Sequence, residues 1–204
     1  MHVKLTKGEL KRQRDSLHQF ERYLPTLQLK KQQLQIEILK NTSALAACRH
    51  ALSRGEAAIL SWAGLFSDPF VTLSAYLAVQ HIHTASKNIA GVSIFLFQQV
   101  EFVPAEYDLF RMPLWVDHAI DALRHLVSLR AEEAILEQGI DALRQELRIT
   151  TQRVNLFEKI KIPQAQEAIR VIKIYIGDQL ANAVGRSKLA KVKIEAAELM
   201  EALA

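Results

Sequence analysis

The stretch that decides the fold lies near the N-terminus, where residues 7–62 read KGELKRQRDSLHQFERYLPTLQLKKQQLQIEILKNTSALAACRHALSRGEAAILSW. Counted from Leu10, every seventh residue is Leu or Ile, with one exception. These residues form the first seam: Leu10, Leu17, Leu24, Lys31, Ile38, Leu45, Leu52 and Ile59. A heptad repeat keeps its apolar side chains on one side of a supercoiled helix, where they must face a partner. The stretch therefore predicts a coiled-coil helix about 80 Å long.

A second, weaker seam runs three residues after the first and is interrupted by polar residues. It consists of Gln13, Phe20, Leu27, Leu34, Asn41, Cys48, Gly55 and Trp62. Thr6 followed by Glu9 has the spacing of a capping box, which predicts that the helix begins there. Pro25 lacks a backbone N–H and predicts a kink. Gly64 and Pro69 predict that the helix ends near residue 62.

A second long helical segment is predicted from Asp117 onward, because apolar residues recur there at spacings of three and four. They are Ile120, Leu123, Val127, Ile135, Ile140, Leu143, Leu147, Val154, Phe157, Ile160, Ile169, Ile172, Ile176 and Leu180. Pro163 predicts a bend in this segment. Between the two helical segments, residues 70–80 are apolar and predict a short helix. Residues 88–103 are rich in strand-forming types and predict a small hairpin, with Gly91 available for its turn.

The whole pattern predicts a mainly α fold. The N- and C-terminal segments are expected to form a long antiparallel two-helix coiled coil, with a small middle region of short helix and β-hairpin. The expected segments are residues 1–63, 64–116 and 117–204. The chain has only seven Gly and five Pro among 204 residues. Because these two residues commonly mark turns, their scarcity favours long helices over many short elements.

Several features of the composition exclude classes of protein. Cys48 is the single cysteine, so no internal disulfide can form, and we expect a small buried residue in a reducing compartment. The charged N-terminus does not resemble a signal peptide. Residues 69–86 contain no Asp, Glu, Lys or Arg and are long enough to span a membrane. The polar Gln80, His81 and His83 make insertion costly, so we expect a buried segment outside the membrane instead.

No motif of enzyme chemistry is present. The sequence contains no Gly-rich phosphate loop, CxxC pair, HExxH motif or nucleophile elbow. His81 and His83 can share one face of a strand, but no matching set of metal ligands follows them. Asp121 and His125 have the spacing of a surface pair on a helix. The sequence therefore predicts no catalytic site, no cofactor and no metal.

The positive charge is concentrated towards the two ends of the chain. Residues 1–40 hold nine Lys or Arg against four acids, and Arg186, Lys188, Lys191 and Lys193 form a second group. In an antiparallel coiled coil both groups lie at the same end. Such a basic end fits an acidic or anion-rich protein socket or a nucleic acid. An ordinary solvated helix surface would show the same charges.

Four stretches of the chain carry a family resemblance. They are LTKGEL at 5–10, NIAGV at 88–92, TQRVNLFE at 151–158 followed by Ile162, Pro163, Ile169 and Ile172, and the basic residues of 186–193. Together they resemble the D subunit of the V-type and A-type rotary ATPases. The chain departs from this family at residues 30–33, which read KKQQ where the family commonly has Lys-Arg-Asp. Residues 65–80 and 104–115 also match less well.

The resemblance implies a central-stalk rotor subunit, without catalysis of its own, that transmits torque between a catalytic A/B head and a membrane ion ring. It thereby implies coupling of ATP synthesis or hydrolysis to proton or sodium transport. The implied partners are the catalytic A and B subunits, the F subunit and a C- or d-type subunit that links the stalk to the ring. The implied location is cytoplasmic and peripheral to the membrane. The residues expected to face the head are Lys4, Lys7, Lys11, Arg186, Lys188, Lys191 and Lys193.

Two other hypotheses rest on the residues alone. The heptads by themselves fit a coiled-coil scaffold or adaptor unrelated to ATPases. The basic ends fit a nucleic-acid-binding helical hairpin, although few aromatic residues are available to stack on bases.

Overall fold

The computed structural model describes residues 4–67, 71, 73–104, 108 and 112–202, with side chains described as far as residue 197. Its long elements are α1 (Lys7–Leu60), β1 (Val79–Ile89), β2 (Val92–Phe102), α2 (Trp115–Leu156) and α3 (Ile162–Ala202). Short 3-10 helices cover Ala63–Ser67 and Leu73–Leu77, and a π-helical turn covers Phe157–Lys161. The prediction of a mainly α fold with a hairpin between two long helical segments is confirmed. Within the described ranges, every helix is too short or too polar to cross a membrane.

The N-terminus of α1 lies where the capping pattern predicted it. The backbone N–H of Glu9 donates to the Thr6 hydroxyl oxygen at 3.2 Å. This bond satisfies one of the N–H groups that the first turn of a helix leaves without a partner. The helix then continues through Pro25, which is exposed.

The two seams correctly located the buried face of α1. Every residue of the first and second seams is buried or half-buried, including the charged Lys31. The helices approach closely at Gly55 of the second seam. A Cβ at this position would lie only 2.7 Å from Cδ2 of Leu126 on α2. In the central part of the chain, the heptad pattern therefore corresponds to contact between α1 and α2.

The chain divides into two compact units. We call residues 1–28 with 152–204 the terminal unit and residues 29–151 the central unit. In the terminal unit the ring of Phe20 stacks on that of Phe157, with centroids 5.4 Å apart. Further along α3, Ala165, Ala168, Ile169 and Ile172 are buried.

The hydrophobic core of the central unit joins three elements. Leu34 of α1 and Leu143 of α2 are fully buried, and Ile89 and Ile94 of the hairpin pack against them. The hairpin therefore lies on both helices through its tip.

The tip of the hairpin is a two-residue turn. Ile89 pairs with Val92, and the residues between them both have positive φ, 51° at Ala90 and 85° at Gly91. Two positive φ angles define a type I′ turn, whose twist matches that of the strands. The side-chain oxygen of Asn88 accepts a hydrogen bond from the N–H of Gly91 at 3.0 Å. The expected role of Gly91 in the turn is confirmed.

The short helix and the hairpin of the middle region have bounds that differ from the predictions. The helix expected over 70–80 is a single 3-10 turn at Leu73–Leu77, and Val79 already belongs to β1. Phe70 and Thr72 lie outside the described residues. The hairpin, expected over 88–103, begins nine residues earlier because the polar first half of β1 pairs with β2. A polar strand gives little hydrophobic signal, since its stability comes from backbone pairing.

A π-helical turn connects α2 to α3. The N–H of Ile162 bonds to the carbonyl of Phe157, five residues earlier, and Pro163 follows in the first turn of α3. Proline is tolerated there because it lacks an N–H that would otherwise need a partner. A π-turn inserts an extra residue and shifts the phase of the helix. Ile160, one of the apolar residues of the predicted helical pattern, is consequently exposed.

Candidate subunit interface

The C-terminal part of α3 has no buried side chain over a long stretch. Every residue from 177 to 197 is exposed. Phe20 lies opposite Phe157, so Lys7, at the start of α1, lies level with about residue 170 of α3. The helix therefore continues past the beginning of its partner helix. Leu180, the last apolar residue of the predicted helical pattern, is exposed for this reason.

This exposed stretch is both apolar and basic. Its large apolar side chains are 55% to 65% exposed; they are Leu180, Val184, Leu189, Val192 and Ile194. The basic residues predicted for the interface lie among them and are exposed too: Arg186, Lys188, Lys191 and Lys193. A helix that serves only to face water carries mainly polar residues. The exposed apolar side chains make this segment a candidate surface for another protein. We call residues 177–197 the candidate interface.

The three N-terminal lysines form a separate group. Lys4, Lys7 and Lys11 are exposed in the same terminal unit. Lys7 is level with about residue 170, so Arg186 lies roughly 24 Å further along the axis of α3. The seven predicted residues thus form two groups along the terminal unit. The three N-terminal lysines lie near the start of α1, where its pairing with α3 ends. The four basic residues of α3 lie beyond that point.

In the central unit, a chain of ion pairs crosses between α1 and α2. Arg49 of α1 donates from Nε to Glu133 at 2.8 Å and from Nη2 to Glu137. Arg130 of α2 donates to the other oxygen of Glu133 at 3.0 Å and to Glu56 of α1 at 2.8 Å. Glu133 therefore accepts from both arginines, and the network ties the two helices together at three points.

The hydrogen bonds and charges of this network shift the pKa values of Glu133 and Arg49. The hydrogen bond from Arg49 is the largest cause that lowers the pKa of Glu133, and Arg130 lowers it further. The same hydrogen bond raises the pKa of Arg49. This network was not predicted from the sequence, although opposite charges beside a heptad seam are its usual signal. Finding it requires the register of α1 against α2.

Cys48 confirms the expectation of a small buried residue. It is 6% exposed, and its Sγ lies 3.4 Å from the carbonyl oxygen of Leu129. Burial raises the pKa of the thiol, and the nearby charges of Glu132 and Glu133 raise it further. The thiol is therefore poorly reactive, because the thiolate is the nucleophilic form.

The histidines considered for metal binding lie together on the hairpin. The rings of His81 and His83 are 4.9 Å apart, and His83 Nε2 lies 3.1 Å from a carboxylate oxygen of Glu101. Among the described residues, no three or more His, Cys, Asp or Glu are placed to hold a metal ion. Asp121 and His125 are both exposed on α2.

Comparison with known proteins assigns a family to this arrangement. The sequence model of the family described as the D subunit of ATP synthase matches residues 9–192. The chain is 44% identical over 189 residues to the V-type ATP synthase D subunit of Borreliella burgdorferi, covering 93% of each protein.

Relatives in a second group of bacteria agree. The V-type ATP synthase D subunit of Chlamydia pneumoniae is 34% identical over 197 residues, covering 96% of this chain and 94% of the relative. That of Chlamydia abortus is 32% identical over the same length, covering 95% and 94%. The matches include both long helical segments, the hairpin and most of the candidate interface. The chain belongs to the family of V-type ATP synthase D subunits.

Proposed function

We propose that this chain is the central-stalk rotor subunit of a V-type ATP synthase, which transmits torque between the catalytic A/B head and the membrane ion ring. Its rotation would couple ATP synthesis or hydrolysis to proton or sodium transport. The observation that carries the proposal is the candidate interface, a helical segment of 21 residues (177–197) whose side chains are all exposed. In a V-type ATP synthase, the catalytic A/B head would be the partner that receives such a segment.

The chemistry of the candidate interface fits insertion into a protein sleeve. Burying a half-exposed Leu, Val or Ile side chain contributes roughly 1 kcal/mol. The five large apolar side chains of this segment therefore offer several kcal/mol of binding free energy. The basic residues among them suit surroundings made negative by carboxylates and bound nucleotides. We expect Arg186, Lys188, Lys191 and Lys193 to contact the head directly, with Lys4, Lys7 and Lys11 nearer its entrance.

The contacts within each unit suit a part that carries load. The two seams of α1 are buried or half-buried along the whole helix. In the central unit, the ion pairs around Glu133 resist sliding of α1 along α2 because they join the helices at three points. A shaft transmits torque only if its helices do not slip against each other.

The proposed role also defines the binding partners and the location of the chain. The chain would have no catalysis and no cofactor of its own. It would bind the A and B subunits of the head, the F subunit, and a C- or d-type subunit that links it to the ring. It would lie at the cytoplasmic side, peripheral to the membrane, and would not bind nucleic acid.

Charge reversal at the candidate interface tests the proposal. Replacing Arg186, Lys188, Lys191 and Lys193 together with Glu should weaken binding of the chain to the A/B head at least tenfold. Repulsion would replace attraction at four sites, and one tenfold step needs only about 1.4 kcal/mol. The measurement is reconstitution of the head with purified stalk, followed by affinity and ATP turnover.

A matched control carries the same change of charge elsewhere. Lys40, Arg54, Arg144 and Arg148 are exposed in the central unit, and their replacement with Glu should leave binding to the head unchanged. Equal head binding by the interface variant and the native chain would contradict the proposal. Purification from native membranes with unrelated proteins, and without A, B and F subunits, would favour a coiled-coil adaptor instead.

A further inference from the structure

One side chain of α2 contacts both ends of the hairpin. Arg124 donates to the carbonyl oxygen of Tyr76 from Nε at 3.0 Å and from Nη2 at 2.9 Å. Its Nη2 also donates to the carbonyl oxygen of Val103 at 2.8 Å. Tyr76 lies just before β1 and Val103 just after β2, so the guanidinium joins the incoming and outgoing chain to one point of α2. We call the region around Tyr76, Ala78 and Val103 the hairpin root.

Two further contacts complete the root. The guanidinium carbon of Arg124 lies 5.1 Å from the centre of the Phe102 ring, an attractive cation–π geometry. The N–H of Val103 donates to the carbonyl oxygen of Ala78 at 3.0 Å and closes the base of the two strands. Arg124 therefore holds the root through its charge, its ring contact and three hydrogen bonds.

Strand pairing is irregular in the half of the hairpin next to the root. The register shifts between Val79 and His81 and again between His83 and Thr84. Such bulges disrupt the ladder and add twist, so backbone pairing alone fixes this half less firmly than the regular half. The tip differs, because Ile89 and Ile94 are buried against the two helices.

The side chain of arginine is well suited to this contact. Its guanidinium is a rigid planar fork with five donors, which can bond two carbonyl oxygens at once. A lysine would keep the positive charge near Phe102, but it has a single flexible ammonium group. Backbone carbonyls receive these bonds, so the contact depends on the path of the chain and not on the side chains of Tyr76 and Val103.

We propose that Arg124 is a positioning residue that clamps the hairpin root to α2 and keeps the hairpin a fixed arm. Without it the hairpin would be held by its tip and would open at the root. This inference goes beyond the proposed function and does not depend on it. In a rotor, a clamped arm would pass load from its exposed face, where Phe95 is 58% exposed, directly to α2.

Hydrogen exchange of the full-length chain tests the clamp. In Arg124→Met, exchange of the amides of Val103 and of the root half of the hairpin should rise about tenfold, since three hydrogen bonds are lost. The amides of the tip pair, Ile89 and Val92, and those of α1 and α2 should exchange as in the native chain. Arg144→Met is the matched control, because Arg144 is an exposed arginine of α2 whose ion pair with Asp141 is long, at 3.7 Å. It should leave the hairpin unchanged.

A second variant keeps the test decisive if Arg124→Met does not fold. Arg124→Lys retains the charge over Phe102 but not the fork, and root exchange should rise by an intermediate factor. Native exchange at the root in either folded variant would overturn the proposal. So would an equal rise in the root, the tip and both helices, because Arg124 would then be a general stabiliser of the central unit.

Discussion

Glu133 joins α1 to α2 in the central unit, a role that its neighbours in the sequence do not indicate. Its side chain is 13% exposed and accepts hydrogen bonds from Arg49 on the neighbouring helix and Arg130 on its own. A partly buried carboxylate between two guanidinium groups is stabilised in its charged form, which is why its pKa is lowered. Such a group makes stability depend on pH.

The sign of that dependence is fixed by the direction of the shift. Because the folded-state pKa of Glu133 lies below the unfolded value of about 4.3, its contribution is present above that value and is lost as pH falls through the folded pKa. Glu133→Gln should therefore lower the melting temperature at pH 7, and the difference from the native chain should shrink towards pH 3. Thermal unfolding over this pH range measures it.

Glu167→Gln serves as the control for this prediction. The pKa of Glu167 is also lowered, by its hydrogen bond from Arg170. Glu167 and Arg170 both lie on α3, however, and their side chains are 58% and 63% exposed. Exposed pairs within one helix contribute little, so the effect at pH 7 should be much smaller. A gap between native chain and Glu133→Gln that stays constant with pH would refute the assigned role.

Ala90 is a second residue whose conformation leads to a prediction. Its φ of 51° is in the left-handed region, which costs a residue with a Cβ about 1 kcal/mol. Asparagine tolerates this region and is favoured at the first position of a type I′ turn. Ala90→Asn should therefore stabilise the central unit by roughly 0.5 kcal/mol, measured by urea denaturation. Ala90→Val should destabilise it, and the opposite order of the two variants would show that the turn does not limit stability.

Among the elements, those with a strong local signal were predictable from sequence. The Thr6 cap fixed the start of α1, the heptad seams fixed its buried face, and Gly91 marked the hairpin turn. Each of these signals depends on residues close in the chain. They therefore require no knowledge of how the segments meet.

The elements that escaped prediction depend on distant contacts or on backbone geometry. The polar half of β1 is held by pairing with β2, and Ile160 turns outward because a π-turn changes the phase of the helix. The root clamp of Arg124 is invisible in the sequence because its partners are carbonyl oxygens. For the candidate interface, the sequence identified the basic residues. It did not show that Leu180 and the apolar residues after it lie beyond the reach of α1.

Across the whole molecule, the burial of side chains separates segments that stabilise the fold from a segment available for binding. The central unit has a core that joins α1, α2 and the hairpin, and a network that ties its helices. The terminal unit buries α3 only as far as Ile172, with Ile176 half-buried, and then exposes residues 177–197. A segment whose side chains all stay exposed against the described part of the chain contributes little to folding stability. We infer that it is retained for binding.

Truncation separates these two roles of α3. A chain ending after Leu180 should melt within a few degrees of the native chain, because the exposed side chains it loses make little contribution to stability. Its affinity for the A/B head should fall below detection in the reconstitution assay, since most of the candidate interface is gone. A chain ending after Ala168 should melt at a clearly lower temperature, because it also loses the buried Ile169 and Ile172. If the chain ending after Leu180 were destabilised as much as the chain ending after Ala168, residues 181–204 would have a partner within the protein. If head binding survived in the chain ending after Leu180, the socket for the stalk would lie elsewhere.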